Sequence, residues 1–174
     1  MKKFIFPLLV LLITACGAKA GNQETQAEEA PAAAATSVNE KVPAPAFTLN
    51  DINGKPLSLS DLRGKWVILD FWGSWCPWCI KGFPALKEAY RQYDGKVEII
   101  GIDCRDSVDV WKEAVKKYEL PWLQVYNPGD NDLLEQYQIQ GFPTKFIIDP
   151  EGNIANVTIG EDPEFFNVLK SLVK

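Results

Sequence analysis

The sequence predicts an α/β fold, with helices packed against a largely buried sheet. Two nearly continuous apolar runs, at Trp66–Trp72 and 97–102, have the composition of central strands buried on both faces. Apolar side chains recur at helical spacing in the stretch that follows each run, at 77–93 and 107–119. Strands that alternate with helices in this way are typical of α/β sheets.

Shorter elements flank this centre on both sides. Residues 47–59 alternate apolar and polar side chains around a turn with Asn53 and Gly54, which predicts a β-hairpin before the first central strand. Pro163 opens an amphipathic stretch that predicts a closing helix, because proline fits the first turn of a helix. The remaining predicted elements lie between the second helix and Pro163: a strand at 123–126, a short helix at 131–137, and a strand hairpin at 145–148 and 154–159.

The composition of the 174-residue chain excludes several classes of protein. The net charge is −5 and the isoelectric point is near 4.8, so no nucleic-acid partner is expected. The sequence contains no histidine. Ser-His-Asp and Cys-His catalysis are therefore excluded, as are zinc, copper and haem sites that need histidine ligands. We expect no metal site.

The first residues have the pattern of a secretory signal. Lys2 and Lys3 precede an apolar run at 4–13, which is shorter than the roughly 20 residues needed to cross a bilayer. The sequence Ile-Thr-Ala-Cys that ends at Cys16 resembles the lipobox of bacterial lipoproteins. This resemblance implies cleavage before Cys16 and attachment of lipid to its thiol. A short anchor that stays uncleaved is the alternative.

These features divide the chain into three predicted parts. Residues 1–15 form a signal peptide, residues 16–40 carry the lipid on Cys16 and form a flexible tether, and residues 41–174 form the folded domain. The tether is assigned because it nearly lacks large apolar side chains and cannot offset the entropy lost on ordering. A structured extension is the alternative. The lipoprotein pattern implies a location in the bacterial cell envelope, membrane-anchored and facing the periplasm.

Cys76 and Cys79 form a Cys-x-x-Cys motif where the first central strand gives way to a helix. At a helix N-terminus the first sulfur faces unpaired N–H groups and the positive end of the helix dipole, which favour the thiolate. Pro77 fits the first turn of that helix. We therefore predict that Cys76 is the nucleophile and that Cys79 resolves the mixed disulfide. A structural disulfide is the alternative.

The sequence around this motif resembles a known family. Residues 71–79, Phe-Trp-Gly-Ser-Trp-Cys-Pro-Trp-Cys, are similar to the active-site stretch of thioredoxin-fold oxidoreductases, and residues 141–144 are similar to the segment that carries their cis-proline, here Pro143. The early hairpin and the extra helix and strand resemble the TlpA/ResA-like branch, membrane-tethered thiol-disulfide oxidoreductases of the bacterial envelope. The central Pro-Trp pair differs from that of a typical member.

The resemblance implies a fold and a set of partners. It implies a thioredoxin fold with an N-terminal β-hairpin and a helix-strand element inserted between the second core strand and the cis-proline. It implies catalysis by the Cys76–Cys79 disulfide without a further cofactor. The expected partners are protein thiols and disulfides, apocytochrome c among them, and a membrane thiol reductase that supplies electrons. We expect a monomer.

The same resemblance suggests supporting residues. Asp70 corresponds to a buried acid that handles the proton of Cys79, with a pKa raised by burial; a hydrogen-bonded aspartate at a strand end is the alternative. Asp106 corresponds to an acidic residue that lines the active-site cavity. Asp103 is its rival for that role, and Asp106 could instead cap the helix at 107–119.

Aromatic residues near the motif predict a substrate-binding surface. Trp75, Trp78 and Phe142 could form an apolar lip around the dithiol, with Thr144 beside the cis-proline; packing of the helix start is the alternative. Cys104 is predicted to be a buried small apolar residue rather than a third redox cysteine.

Four functions remain open at the level of the sequence. A reductant is preferred. Strongly oxidising relatives have a histidine between the two cysteines that stabilises the thiolate, and this chain has none there. The same dithiol could serve an oxidase or isomerase, and two thiolates could hold Cu(I) in a binding lipoprotein. A peroxiredoxin-type peroxidase is disfavoured. The active site of that class resembles Pro-x-x-x-Thr/Ser-x-x-Cys, and this chain has Leu69 at the proline position and Gly73 at the threonine or serine position.

Overall fold

The computed structural model describes residues 41–174, whose strands form one mixed sheet. The signal peptide, Cys16 and the tether predicted at 1–40 lie outside the described residues. The strands are β1 Val42–Pro43, β2 Thr48–Asp51, β3 Pro56–Ser58, β4 Trp66–Trp72, β5 Val97–Cys104, β6 Leu123–Asn127, β7 Thr144–Ile148 and β8 Asn153–Ile159. Their order across the sheet is β1-β8-β7-β4-β5-β6-β2-β3.

The described part of the chain also contains four α-helices and one 3-10 helix, and the last α-helix follows the final strand. None of these helices is long and apolar enough to cross a membrane. The 3-10 helix occupies Leu59–Leu62, and the α-helices are α1 Pro77–Gln92, α2 Val108–Lys117, α3 Leu133–Gln136 and α4 Glu164–Leu172.

The predicted first central strand is confirmed with its boundaries. β4 pairs in parallel with β5 and antiparallel with β7, so it lies in the middle of the sheet. Successive side chains of a strand point to opposite faces. Ile68 therefore joins the apolar core beneath α1 and α4, and Leu69 joins the core on the other face. Burial on both faces explains why this stretch is continuously apolar.

The predicted second central strand is two residues too short. β5 continues to Cys104, so Asp103 lies inside the strand and is fully buried. An aspartate normally favours the end of a strand, which is why the pattern suggested an earlier stop. α2 and β6 then follow before Pro143, and β6 pairs in parallel with β5.

The N-terminal hairpin is present as predicted. Asp51 holds its turn, because the carboxylate accepts hydrogen bonds from the N–H groups of Asn53 and Lys55, both at 2.8 Å. Gly54 adopts φ +78°, which favours glycine. β2 also pairs with β6, so the hairpin extends the sheet on the side of β5.

The sequence did not predict β1, which lies at the opposite edge of the sheet. Its two residues pair with the first residues of β8, Val42 with Ile154 and Pro43 with Asn153. A strand of two residues has no period that could reveal it, and tertiary contacts alone define it. The chain therefore enters the described domain at the start of β8.

Candidate active site

The redox motif lies where the loop after β4 turns into α1. Cys76 is the N-cap residue of α1 and Pro77 is its first helical residue. The N–H of Cys79 donates a hydrogen bond to Cys76 Sγ at 3.1 Å. Cys76 and Cys79 are joined by a disulfide bond of 2.09 Å. The first sulfur therefore receives an otherwise unpaired N–H group at the positive end of the helix, where a thiolate is stabilised.

The disulfide has little direct exposure to solvent. Cys76 and Cys79 are only 3% and 2% exposed, and both belong to the apolar core beneath α1. The neighbouring indole groups are open, because Trp75 is 44% exposed and Trp78 is 57% exposed. A partner thus meets these aromatic side chains before it reaches the sulfur atoms.

The loop before Cys76 is fastened to the end of β5. The Asp106 carboxylate accepts hydrogen bonds from the N–H of Ser74 at 2.7 Å and from its hydroxyl at 2.8 Å. Trp75 Nε1 donates to the carbonyl oxygen of Cys104 at 2.9 Å. Gly73 allows this packing, because a Cβ there would overlap the Trp75 indole. These contacts fix the backbone that presents Cys76.

Asp106 thus binds the active-site loop through Ser74. It does not cap α2, because Ser107 is the N-cap residue and its hydroxyl accepts from the N–H of Val110 at 3.4 Å. The alternative that Asp106 caps this helix is therefore wrong. Its own carbonyl oxygen accepts from the Tyr126 hydroxyl at 3.0 Å, which anchors Asp106 to β6.

Asp103 occupies the interior. It lies opposite Trp72 in the pairing of β4 with β5, and neither carboxyl oxygen has a hydrogen-bond partner among residues 41–174. Burial raises the pKa of Asp103 to about 8, and the Asp106 carboxyl contributes to the shift. Asp103 is therefore mainly protonated near neutral pH.

Asp70 lies in the middle of β4 and is almost fully buried. Burial raises the pKa of Asp70 to about 6; the charge of Lys145 opposes the shift and that of Glu161 adds to it. One oxygen, Oδ1, has no hydrogen-bond partner in the described part of the chain. The carboxyl therefore changes protonation close to the pH at which thiols exchange with disulfides.

The segment that carries Pro143 lies against the active-site loop. The Phe142–Pro143 peptide bond is cis, and the rings of Phe142 and Trp75 are in edge-to-face contact, with centroids 5.1 Å apart. Thr144 is buried as the first residue of β7, and its hydroxyl donates to the carbonyl oxygen of Gly141 at 2.7 Å. In contrast to the prediction, the Thr144 side chain offers almost no surface to a substrate.

We call Trp75, Trp78 and Phe142 the aromatic rim. Two cations, which the sequence reasoning missed, lie over it. The Arg105 guanidinium is 5.7 Å from the Trp75 ring centroid and 5.2 Å from that of Phe142, while Lys81 Nζ is 4.8 Å from that of Trp78. Arg105 has φ 72°, a backbone conformation that nothing in the sequence signals.

Cys104 is a free and fully buried thiol. Burial raises its pKa far above the ordinary range, and the neighbouring Asp103 adds to the shift. The thiol therefore remains protonated at neutral pH, which makes it inert in exchange. The structure favours the packing interpretation over a third redox cysteine.

The sequence reasoning also missed a buried ion pair near Asp70. Lys145 Nζ donates to Glu161 Oε2 at 2.8 Å. A signal was available, because Lys145 is the one charged residue of the predicted strand 145–148, whose other three residues are apolar. Its partner lies 16 residues further along the chain, and only the tertiary fold brings the two together.

The chain matches a family model and named relatives. The AhpC/TSA family model matches residues 41–157. The thiol-disulfide oxidoreductase ResA of Bacillus subtilis (strain 168) is 34% identical over 169 residues, which cover 94% of this chain and 90% of that protein. ResA of a Bacillus cereus strain is 39% identical over 119 residues, covering 68% of each chain.

Solved structures agree in fold. The thioredoxin domain of a thiol-disulfide oxidoreductase from Bacteroides vulgatus is 35% identical, with a TM-score of 0.72 over 79% of this chain and 100% of that one. A thiol:disulfide interchange protein from a Bacteroides species is 34% identical, with a TM-score of 0.70 over 76% and 89%. Taken with the Cys76–Cys79 disulfide at the start of α1, these likenesses establish that the chain belongs to the AhpC/TSA family and is a ResA-like, thioredoxin-fold thiol-disulfide oxidoreductase.

Proposed function

We propose that this protein reduces disulfide bonds in other proteins of the bacterial cell envelope, while a lipid on Cys16 holds it at a membrane. The observation that carries the proposal is the position of Cys76 at the N-cap of α1, where the N–H of Cys79 faces its sulfur. This arrangement stabilises a thiolate at Cys76 once the disulfide has been reduced.

In the reaction, the Cys76 thiolate attacks one sulfur of the substrate disulfide. A bond forms between Cys76 Sγ and that sulfur, and the other substrate sulfur leaves as a thiolate. The Cys79 thiolate then attacks Cys76 Sγ, the mixed disulfide breaks, and the second substrate thiolate is released. Two electrons pass from the protein to the substrate, and the Cys76–Cys79 disulfide of the structure is formed.

Asp70 serves as the base for the second step. The Cys79 thiol must lose its proton before it can attack, and Cys79 is buried with little access to water. A carboxylate whose pKa is raised to about 6 by burial accepts a proton near neutral pH more readily than an exposed aspartate does. The proton moves from Cys79 Sγ to the Asp70 carboxylate, which becomes neutral.

The aromatic rim is the surface that a protein substrate meets. Trp75 and Trp78 are exposed large side chains beside the disulfide, and Phe142 contacts Trp75. Exposed aromatic side chains are typical of protein-binding surfaces. Arg105 and Lys81 add two positive charges at this surface, which favour substrates with carboxylates near their cysteines.

The direction of electron flow and the location rest on the sequence. The dipeptide between the cysteines is Pro-Trp, without the histidine that stabilises the thiolate of strongly oxidising relatives. The lipobox-like segment that ends at Cys16 supports export and anchoring. A membrane thiol reductase would then restore the dithiol, and the cysteines of apocytochrome c are among the substrates we expect from the family resemblance. No cofactor beyond the disulfide is required by this chemistry.

The test is the reduction potential of the Cys76–Cys79 pair. The fluorescence of Trp75 and Trp78 is followed while the purified protein is equilibrated with dithiol and disulfide mixtures. A potential near or below about −250 mV, in the range of thioredoxin, supports a reductant. A potential above roughly −150 mV indicates an oxidant or isomerase and overturns the proposed direction. Cys76→Ser should abolish the transition, whereas Cys104→Ser should leave it unchanged.

Anchoring is tested separately in cells. The wild-type chain should fractionate with membranes and carry a mass increase on Cys16, whereas Cys16→Ser should be released in soluble form. Equal membrane association of the two chains, with Cys16 unmodified, would overturn lipid attachment without affecting the redox chemistry.

A further inference from the structure

We infer that Lys145 and Glu161 are positioning residues: as a buried ion pair against α1, they set the protonation of Asp70 and so the proton transfer from Cys79. The inference rests on the proposed role of Asp70 as the base and identifies two further residues on which that role depends. Neither residue contacts the sulfur atoms through a hydrogen bond.

Lys145 is held beside Asp70 by the pairing of their strands. The two residues are directly opposite each other where β7 pairs antiparallel with β4, so their side chains share one face of the sheet. The Lys145 side chain is only 2% exposed. A buried ammonium group is costly unless it is paired and hydrogen-bonded, and here its Nζ donates to Glu161 Oε2 at 2.8 Å.

Glu161 connects this pair to the helix that carries the redox cysteines. Its side chain is 17% exposed, and its carboxyl group lies where a Cβ of residue 82 would otherwise be. Gly82 is buried in α1, three residues after Cys79, and therefore lies on the same side of the helix. Glycine inside a helix is less favourable than alanine. At Gly82 it creates the space that the carboxylate occupies.

The two charges act on Asp70 in opposite directions. The ammonium group of Lys145 lowers the pKa of Asp70, and the carboxylate of Glu161 raises it, on a background of burial that favours the neutral acid. Other titratable groups near this face are Asp103 on β5 and Cys79 on α1, while the Cys104 thiol, which the charge of Asp70 influences, lies in the core on the other face of the sheet. Only Lys145 carries a positive charge among these groups.

The opposing charges of Lys145 and Glu161 therefore set how readily Asp70 accepts the proton in the resolving step. The Cys79 thiol gives its proton to the Asp70 carboxylate, the new thiolate attacks Cys76 Sγ, and the substrate thiolate leaves. Without Glu161, the unbalanced ammonium group would keep Asp70 ionised to lower pH and make it a weaker base. Without Lys145, Asp70 would stay protonated to higher pH and could not accept the proton at neutral pH.

The opposite signs provide the test. We would follow the carboxyl carbon of Asp70 by ¹³C NMR from pH 4 to pH 9 in the oxidised protein, where the disulfide prevents Cys79 from titrating; Asp70→Asn identifies the signal. Glu161→Gln should move the midpoint to lower pH, and Lys145→Met should move it to higher pH. The pH profile of disulfide reduction should shift in the same two directions.

Further variants keep the test decisive. Lys41→Met breaks an exposed ion pair with Asp149 and should leave the Asp70 midpoint unchanged. If Lys145→Met does not fold, Lys145→Gln takes its place with the same expected shift to higher pH. Gly82→Ala, which expels the Glu161 carboxyl from the space beside residue 82, should move the midpoint to lower pH, as Glu161→Gln does. An unchanged midpoint in folded Glu161→Gln, or shifts of the same sign for Glu161→Gln and Lys145→Met, would overturn the inference.

The outcome is separable from the role of Asp70 itself. If Asp70→Asn leaves the pH profile of disulfide reduction unaltered, Asp70 is not the base, whatever the charged pair does to its midpoint. If Asp70→Asn alters the profile but the Glu161 and Lys145 variants do not move the midpoint, the base is confirmed and the positioning role is refuted.

Discussion

Ser74 and Asp106 are joined by two hydrogen bonds, in which the N–H and the hydroxyl of Ser74 each donate to a different oxygen of the Asp106 carboxylate, at 2.7 and 2.8 Å. Ser74 lies two residues before Cys76, and Asp106 follows the end of β5. The carboxylate therefore replaces water as the partner of a loop N–H group that no strand or helix satisfies. The position of the redox loop therefore depends on a carboxylate from the segment that follows β5.

Removing this anion should destabilise the protein more than removing the hydroxyl. Asp106→Ala eliminates two charge-assisted hydrogen bonds and leaves the Ser74 N–H unpaired, so we expect a loss of about 2–3 kcal/mol in the free energy of unfolding. Ser74→Ala removes one bond and should cost about 1 kcal/mol. Urea unfolding of the oxidised protein measures both. The exposed Asp130→Ala is the control, and equal losses for Asp106→Ala and Asp130→Ala would contradict the role of Asp106.

The buried acid Asp70 should make stability depend on pH. Its pKa is raised from 3.8 in the ordinary state to about 6 in the fold. The folded protein therefore binds the proton more tightly, and its stability falls as the pH rises through this window. Asp70→Asn removes the penalty, so its advantage over wild type should grow between about pH 4 and pH 6 and then level off at about 2–3 kcal/mol. A stability difference between Asp70→Asn and wild type that does not change with pH would show that the pKa of Asp70 is not raised in the folded protein.

Ionisation of Asp103 should also lower the stability of the folded protein as the pH rises, but over a wider pH range than that of Asp70. Burial and the nearby Asp106 carboxyl raise its pKa to about 8, so the penalty of ionisation continues to grow after that of Asp70 has levelled off. The stability difference between Asp103→Asn and wild type should therefore keep rising between about pH 6 and pH 8. Denaturant unfolding at several pH values measures it. A plateau already at pH 6 would mean that the Asp103 carboxyl is ionised in the fold at neutral pH.

The backbone at Arg105 should favour glycine over alanine. Arg105 has φ 72°, a region in which residues with a Cβ are strained by about 1 kcal/mol or more. Arg105→Gly and Arg105→Ala both remove the cation from Trp75 and Phe142. We therefore expect the glycine variant to be the more stable by about 1 kcal/mol in urea unfolding, with equal loss of the cation–π contacts. A more stable alanine variant would contradict the observed backbone conformation.

Only one of the two thiol environments in the domain should react. In a Cys16→Ser background, the reduced protein is treated with an alkylating reagent at neutral pH and examined by mass spectrometry. Cys76 should be modified in the folded state because its thiolate is stabilised at the start of α1. Cys104 should be modified only after unfolding, since it is fully buried and its thiol stays protonated. Modification of Cys104 at the rate of Cys76 would contradict this burial.

The elements that could be predicted are those whose burial produces a recognisable pattern of apolar residues in the sequence. β4 is apolar along its whole length because both of its faces are covered, and α1 is marked by Pro77 at its first position and by apolar residues on one side. The apolar pattern alone ends the second central strand at Ile102, because aspartate is normally depleted in strands; Asp103 lies inside β5 only because tertiary packing buries it there.

The site could be predicted in part. Cys76 and Cys79 follow from local spacing, because the motif and the helix start are adjacent in the chain. The partners of Ser74 and Lys145 lie 32 and 16 residues away, so no local pattern identifies them. The position of Arg105 over the aromatic rim depends on its positive φ angle. Such an angle is normally expected only for glycine and a few polar residues, so the sequence does not predict it here.

The pairing of β1 with β8 has a consequence for the direction from which partners approach the domain. Val42 lies beside Ile154 at the start of β8, whereas Ile159 at its end lies beside Thr144, next to Pro143 and the aromatic rim. These two ends are five residues apart, or roughly 16 Å along a strand. The point at which the chain enters the domain is therefore separated from the disulfide by most of the length of β8, and a partner that binds the aromatic rim approaches the domain from the end opposite to Val42.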